Sequence, residues 1–427
     1  MLKRIKNSLF LKNTFIYTFL QIFNKGVSFL LLPILTYYLS PIDYGIISNF
    51  NVLLGVFAIF ISISVPGAIT INFFKLRNNE QIAYYLGNSF IVLFINFIVV
   101  CSLVFFLKKL NMINIKFTYF WISIILITAF FEILSQIFLI IFRNLEKAKI
   151  FAIFEISKTL LNIFITLILV IYFNLHWVGR VSGIIFANIL FGVISLYILY
   201  KINFFKIKIM KKYIIDIYKF GLSLLPHNIA LWLRTSIDII LITNLINVSS
   251  AGIYSFGYTF GAMIGIIAHS FNNAFVPYLY KKLEEKNFNE NLKIIKITYL
   301  YFILILIFAI LYSLLLYFSF PYFINSNFLE SRNIIIWIAL AYAFNGMYLM
   351  VVNYIFYEKK TFYISVTTLI MSLLQILISY LFIKEFGIIG AAYANVIVYL
   401  FTFLIIWKIS TKVYSMPWSY FFTKVKN

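Results

Sequence analysis

The sequence predicts an all-α integral membrane protein of about twelve transmembrane helices, and three observations carry that expectation. Of 427 residues, 63% are hydrophobic and only 11% charged, whereas a soluble domain carries about 45–50% apolar and about 25% charged residues. The apolar residues form long runs broken by short polar segments, with a mean hydropathy of +0.99. No polar stretch is long enough to fold separately; the largest, Lys201–Lys212 and Lys281–Lys293, are short and basic. This composition excludes a soluble enzyme, a disordered chain and a disulfide-built secreted module.

Taken in order, the runs predict spans at 14–39, 44–73, 83–107, 117–142, 148–173, 178–200, 216–246, 251–280, 294–320, 333–357, 361–383 and 388–410. Several exceed the roughly 20 residues that cross a bilayer, which implies tilt or kinking. Pro33, Pro66, Pro226 and Pro277 fall in the first, second, seventh and eighth spans. A proline removes one backbone bond and kinks a helix there. Lys3, Arg4, Lys6 and Lys12 precede the first run with no small-residue cleavage site, so this segment reads as a cytoplasmic tail and first span.

Lys and Arg number 35 against 13 Asp and Glu. In a soluble chain such an excess suggests nucleic acid; between apolar spans it sets orientation instead, and no nucleic-acid partner is expected. The two tails and the even-numbered connections hold 26 of the 35 cations and the odd-numbered connections six, Arg180 among them. Both termini are therefore expected in the cytoplasm. A lone cysteine, Cys101, excludes an internal disulfide, and His176, His227 and His269 lack metal-ligand spacing. No metal or cofactor is expected, only the possible use of a proton or sodium gradient.

The chain also repeats itself. Gly45 and Gly252 each open a helix after a short turn, 207 residues apart. Gly183 with Phe186-Ala187-Asn188-Ile189 matches Gly390 with Tyr393-Ala394-Asn395-Val396 at the same offset, and Leu145-Glu146-Lys147 resembles Tyr357-Glu358-Lys359 at 212. Six helices separate equivalent positions, so the halves share one orientation and are related by an axis along the membrane normal, as in parallel-repeat transporters. The expected lobes are 1–207 and 208–427, six helices each.

An ionisable side chain at the bilayer centre costs about 2.5–3.5 kcal/mol on insertion scales, so the few present are candidates for function. Lys25 lies with Gln21 and Ser28 on the first span, and Glu132 with Thr128 and Ser135 on the fourth. The fifth carries Glu155, Lys158, Asn162 and Thr166 along one face; the seventh carries Ser223, His227, Arg234 and Asp238; the eighth carries Tyr254, Tyr258 and His269. Period-3.6 stripes of this kind line a hydrated interior. Lys25, Lys158 and Arg234 would form a cationic lumen; Glu132, Glu155 and Asp238 would be ion-coupling or structural acids; Gln21, Asn162 and His269 would be further polar lining. Glu155 with Lys158 and Arg234 with Asp238 are also spaced to neutralise each other within one helix. No G-x-x-x-x-G-K-[ST] loop, CxxC, HExxH or GxSxG occurs, so no catalytic residue is assigned.

Asn24-Lys25-Gly26, the run Leu39-Ser40-Pro41-Ile42-Asp43-Tyr44-Gly45, Ala251-Gly252-Ile253-Tyr254 and Phe275-Val276-Pro277 make the chain resemble bacterial polysaccharide exporters of the multidrug/oligosaccharidyl-lipid/polysaccharide (MOP) superfamily. It is most similar to O-antigen flippases of the Wzx type. The resemblance implies a MATE-like fold of two six-helix lobes in the bacterial inner membrane. It also implies translocation of an undecaprenyl-diphosphate-linked oligosaccharide from the cytoplasmic to the outer leaflet, with a glycan polymerase and chain-length regulator as protein partners. Family members often carry an Asp-Arg pair in the seventh helix; here Ile239 follows Asp238, and Arg234 stands one turn earlier. Two other readings are a drug/cation antiporter of the same superfamily and a membrane glycan polymerase or ligase. The first favours an acidic cavity and the second a long outer loop.

Overall fold

The computed structural model describes residues 16, 20, 23, 24, 26, 27, 29–76, 78–112, 116–285, 287–418 and 420. Among the described residues every regular element is helical. A helix α1 covers 29–36. There follow α2 (Pro41–Ser62), α3 (Val65–Lys75), α4 (Asn79–Lys109), α5 (Tyr119–Asn144), α6 (Ala148–Leu167), which runs into a π-helical turn (Ile168–Tyr172), and α7 (His176–Lys201). The remainder comprises α8 (Lys211–Leu245), α9 (Val248–Gly261), α10 (Met263–Glu284), α11 (Phe288–Phe323), a 3-10 turn (Ser326–Ser331), α12 (Arg332–Tyr357), α13 (Phe362–Phe386) and α14 (Ile388–Val413).

Ten of the described helices or helix pairs are long and apolar enough to cross a bilayer. The expected seventh span, α8, is 35 residues long but more polar, carrying Lys211, Asp216, Arg234 and Asp238. Of the expected first span, 14–39, the structure describes 16, 20, 23, 24, 26, 27 and 29–39. These helices make the chain a multi-pass membrane protein.

Polar side chains start the helices where the backbone has unpaired donors. Ser40 and Asp43 form a reciprocal box at the start of α2: Ser40 N–H donates to Asp43 Oδ2 at 2.8 Å and Asp43 N–H to Ser40 Oγ at 3.2 Å. Asn78 caps α4 and Asn247 caps α9, each accepting a backbone N–H at 2.8 Å.

The second and eighth expected spans are each two helices. Between α2 and α3, Ile63 and Ser64 take left-handed φ values of 38° and 56°. Pro66 in the first turn of α3 cannot donate the N–H that a continuous helix needs. Asn228 steadies the break, donating to Ser64 Oγ at 2.8 Å. The α9–α10 break falls at Ala262, well before Pro277, which stays inside α10.

The chain divides into two compact units. One joins the described residues up to Leu39 with Asn49–Trp232; the other joins Ser40–Ser48 with the chain from Leu233 onward. This differs from a cut after residue 207. The helix α8 is continuous across the division and contributes Lys211–Trp232 to one unit and Leu233–Leu245 to the other. The first turns of α2 belong with α9, because two glycines let the backbones touch. A Cβ on Gly45 would lie 1.9 Å from Val248 O, and one on Gly252 would lie 1.9 Å from Pro41 O. Beside them Ser48 donates to Ser255 Oγ at 2.6 Å.

Each unit has the same internal plan. In the first, α5 is central, packing on α3, α4, α6 and α7, while α6 lies against α7. In the second, α12 takes that place, packing on α10, α11 and α14, while α13 lies against α14. The turns after α5 and α12 match as well: Glu146 and Lys359 are both left-handed at φ 57°. These equivalent backbones are 213 residues apart, one more than the side-chain match at 212, because the hydrogen-bonded turn sets the register.

Candidate functional site

The polar groups of each unit converge on two clusters. In the second unit the centre is Asp238 on α8, 2% exposed. Its Oδ2 accepts from Asn395 Nδ2 at 2.6 Å and from Tyr254 OH at 2.9 Å. Its Oδ1 accepts from Ser379 Oγ at 2.6 Å and Gln375 Nε2 at 3.3 Å. Donors from α9, α13 and α14 thus replace the hydration shell of one buried carboxylate, which is the condition for keeping such a group away from water.

Arg234 lies one helical turn earlier but forms no ion pair with Asp238. Its guanidinium stacks on Tyr399, with Cζ 3.8 Å from the ring centroid, a cation–π contact. The Nε and Nη2 atoms are buried and have no acceptor among the described residues. Tyr399 leans on Tyr342, ring centroids 5.7 Å apart, and Tyr342 shares a 2.8 Å hydroxyl contact with Tyr258. Guanidinium N–H groups of this kind form strong charge-assisted bonds to oxygen acceptors.

In the first unit, Asn24 on the first span reaches α6: it donates to Glu155 Oε2 at 2.9 Å and accepts from Thr159 Oγ1 at 3.1 Å. Lys158 interacts electrostatically with both Glu132 and Glu155, although none of the ion pairs within 4 Å among the described residues includes it. Glu132 accepts from Gln136 at 3.4 Å. One ammonium between two carboxylates leaves this cluster with more acid than base among the described groups.

A second polar contact in this unit joins α6 to α7. Arg180 donates to Asn162 Oδ1 at 2.8 Å and to Thr166 Oγ1 at 3.0 Å. Arg180 sits in the second turn of α7, within the expected span 178–200. Gly183 permits the approach, since a Cβ there would lie 2.3 Å from Thr166 Oγ1.

Of the residues singled out from sequence, Asp238, Arg234, Glu132, Glu155, Lys158 and Asn162 all enter these clusters. The expected helix-internal pairs do not form as ion pairs. Buried hydroxyls and amides are nearer to Asp238 than Arg234 is, and Tyr399 takes the guanidinium. His269 lies exposed on α10. Gln21 and Lys25 lie outside the described residues. Sequence reasoning missed Tyr399, Gln375, Ser379 and Arg180. Gln375 and Ser379 were legible as an i, i+4 polar pair in an apolar helix; Tyr399, one of 31 tyrosines, gave no signal. No group of three His, Cys, Asp or Glu able to hold a metal occurs among the described residues.

Known proteins share this architecture. The structure superposes on the lipid II flippase MurJ in an inward closed conformation with a TM-score of 0.71 at 17% identity, covering 95% of this chain and 87% of that one. It superposes on an inward-facing MATE family multidrug transporter of the MOP superfamily with a TM-score of 0.66 at 15% identity, covering 90% and 93%. The fold is therefore that of MurJ and the MATE transporters. In sequence, the chain is 26% identical to Lsg locus protein 1 of Haemophilus influenzae over 392 residues, 86% of this chain and 89% of that protein. It is 24% identical to a membrane protein of the same organism over 382 residues, 86% and 88%. A family model described as polysaccharide biosynthesis protein matches residues 10–282, and the chain belongs to that family.

Proposed function

We propose that this protein is a flippase that moves an undecaprenyl-diphosphate-linked oligosaccharide, an O-antigen or similar surface-polysaccharide repeat unit, from the cytoplasmic to the outer leaflet of a bacterial inner membrane. One observation carries the reading: Arg234 presents buried, acceptor-less Nε and Nη2 groups from a membrane helix. Idle charged donors in a low-dielectric site are costly. A diphosphate supplies oxygens that a guanidinium binds in a planar, bidentate manner, and Tyr399 holds the guanidinium plane meanwhile. Tyr258 and Tyr342, both half-buried beside Tyr399, are the aromatic groups of this cluster for a sugar to stack on. The polyprenyl tail stays in lipid, so only the headgroup needs a polar path.

In this reading Lys158 and Lys25 are further cations of the path, and Glu132, Glu155 and Asp238 are the acids available for coupling. Asp238 is the most deeply buried of the three, at 2% exposed, and coupling through it would require some of its four donors to turn away so that an oxygen is freed. Family membership and a transporter fold favour translocation over catalysis. A polymerase and a chain-length regulator would take the product on the far side.

The test is export of surface glycan in cells whose own flippase is deleted. Arg234→Ala is expected to lower surface glycan about 100-fold with unchanged protein abundance, as a lost buried charge-assisted contact of about 3 kcal/mol predicts. Arg234→Lys should recover part of it. Normal glycan in an Arg234→Ala/Lys158→Ala chain sinks the proposal. Efflux of cationic dyes by the wild-type chain, with glycan unaffected, replaces it with the antiporter reading that the buried Asp238 favours.

A further inference from the structure

The first unit contains a cavity of about 420 Å3 apart from the polar clusters described above. It opens where the last turn of α3 meets the first turns of α4 and α8, and its walls include Asn72, Gln81, Tyr85, Lys212, Asp216 and Lys219. Its size falls in the range of small-molecule sites, about 300–1,000 Å3.

The three charged residues follow at i, i+4 and i+7 on α8 and so share one face. Asp216 is fixed from one side, with Asn72 Nδ2 and Tyr85 OH both donating to its Oδ2 at 2.9 Å. Among the described residues its Oδ1 has no such donor. Neither Lys212 nor Lys219 takes part in the ion pairs formed among the described residues. Two open ammonium groups thus stand astride a carboxylate with one open oxygen. Among the lining residues Ile215 is 55% exposed, an apolar lip on a membrane protein.

A simple anion would be served by the lysines alone and repelled by Asp216. A group with an anionic centre and a hydrogen-bonding cation a few bonds away satisfies all three. We propose that this cavity binds the headgroup of an aminophospholipid, with the phosphodiester against Lys212 and Lys219, the primary ammonium on Asp216 Oδ1, and the acyl chains leaving past Ile215. The surrounding Lys75, Lys206, Lys208 and Lys211 mark the lysine-rich end of the unit, where phosphate headgroups concentrate.

The test titrates the full-length protein in detergent with phosphatidylethanolamine, phosphatidylglycerol and phosphatidylcholine of identical acyl chains. Bound lipid is read by native mass spectrometry and thermal shift, and free phosphoethanolamine serves as a fourth arm. Phosphatidylethanolamine should bind about tenfold more tightly than phosphatidylcholine, whose methylated nitrogen cannot donate a charge-assisted hydrogen bond. Lys212→Ala/Lys219→Ala should weaken it about tenfold, and Asp216→Asn should erase the preference for ethanolamine over choline. If Asp216→Asn fails to fold, the comparison of headgroups on the wild-type chain tests the same arm without a substitution. Equal binding of ethanolamine and glycerol headgroups, or an affinity for phosphatidylethanolamine unchanged by the double substitution, overturns the proposal. Free phosphoethanolamine binding as strongly as the lipid overturns its lipid identity.

Discussion

The two units share a helix plan but bury different polar groups within it. At the repeat offset of 207, Asp238 corresponds to Leu31 and Tyr254 to Ile47, and both apolar residues are buried, Leu31 in the first unit and Ile47 in the second. Asn395 corresponds to Asn188, and each of these amides donates to the carbonyl four residues back, Asn395 to Ala391 at 2.9 Å and Asn188 to Ile184 at 3.0 Å. Only Asn395 has an acid to reach. What the halves retain is packing: Gly45 with Gly252 at the α2–α9 contact, and Gly183 with Gly390, each pressed on the preceding helix. Duplication therefore preserved where backbones touch and left the interior chemistry free to differ. The second unit concentrates one carboxylate under four donors, and the first spreads two carboxylates around one ammonium.

The comparison is broken most severely by giving the second unit the first unit's residue. Asp238→Leu strands donors on Ser379, Gln375, Asn395 and Tyr254, each unpaired buried group costing about 1–3 kcal/mol. A loss of at least about 3 kcal/mol is expected in thermal unfolding of the detergent-solubilised protein. Asp238→Asn should retain most of the stability, so a similar loss in both variants would show that charge, not acceptor geometry, organises the cluster.

A shared position comes next. Gly252→Ala places a methyl 1.9 Å from Pro41 O, so backbones must part, and about 2 kcal/mol of destabilisation is expected from overpacking. Gly45→Ala should cost about the same, because its methyl meets Val248 O at the same distance. Gly26→Ala, with nothing within 4 Å of the added atom, should be neutral. Unequal effects at Gly45 and Gly252 would end the claim that the repeat conserves this crossing.

The first unit should respond by degrees. Glu132→Gln and Glu155→Gln each leave Lys158 one carboxylate and should cost about 1 kcal/mol, whereas the double variant leaves none and should cost more than the sum. Additive losses measured by the same unfolding assay would mean that Lys158 is not shared. Smallest of all, Lys206→Ala removes an exposed 3.1 Å pair with Glu80. It should leave the melting temperature unchanged, as exposed pairs generally do.

The fold was largely legible because a bilayer constrains a chain so tightly. Each span must be apolar and must satisfy its own backbone, and α4, α5 and α11 stand out in sequence for that reason. The helix α8 shows the limit: its charges made it the least apolar span, yet those charges define the interior. Candidate residues were found for the same reason, since Asp238 and Arg234 are rare inside spans. Their partners were not. The choice between an Arg234–Asp238 pair and separate roles depended on Tyr399 and Asn395, more than 150 residues further along the chain, which local spacing cannot register.

By itself the sequence determined that this chain is a duplicated bundle of membrane helices, because hydropathy and a repeated glycine pattern are local properties with a fixed physical meaning in lipid. Only the tertiary structure decided which polar groups are satisfied and which are left waiting. It gave Asp238 its four donors, set Arg234 against an aromatic ring with idle N–H groups, and cut the units within α8 instead of at a loop. Those outcomes rest on contacts between helices distant in sequence, where the cost of an unpaired polar group in a medium without water selects the partner.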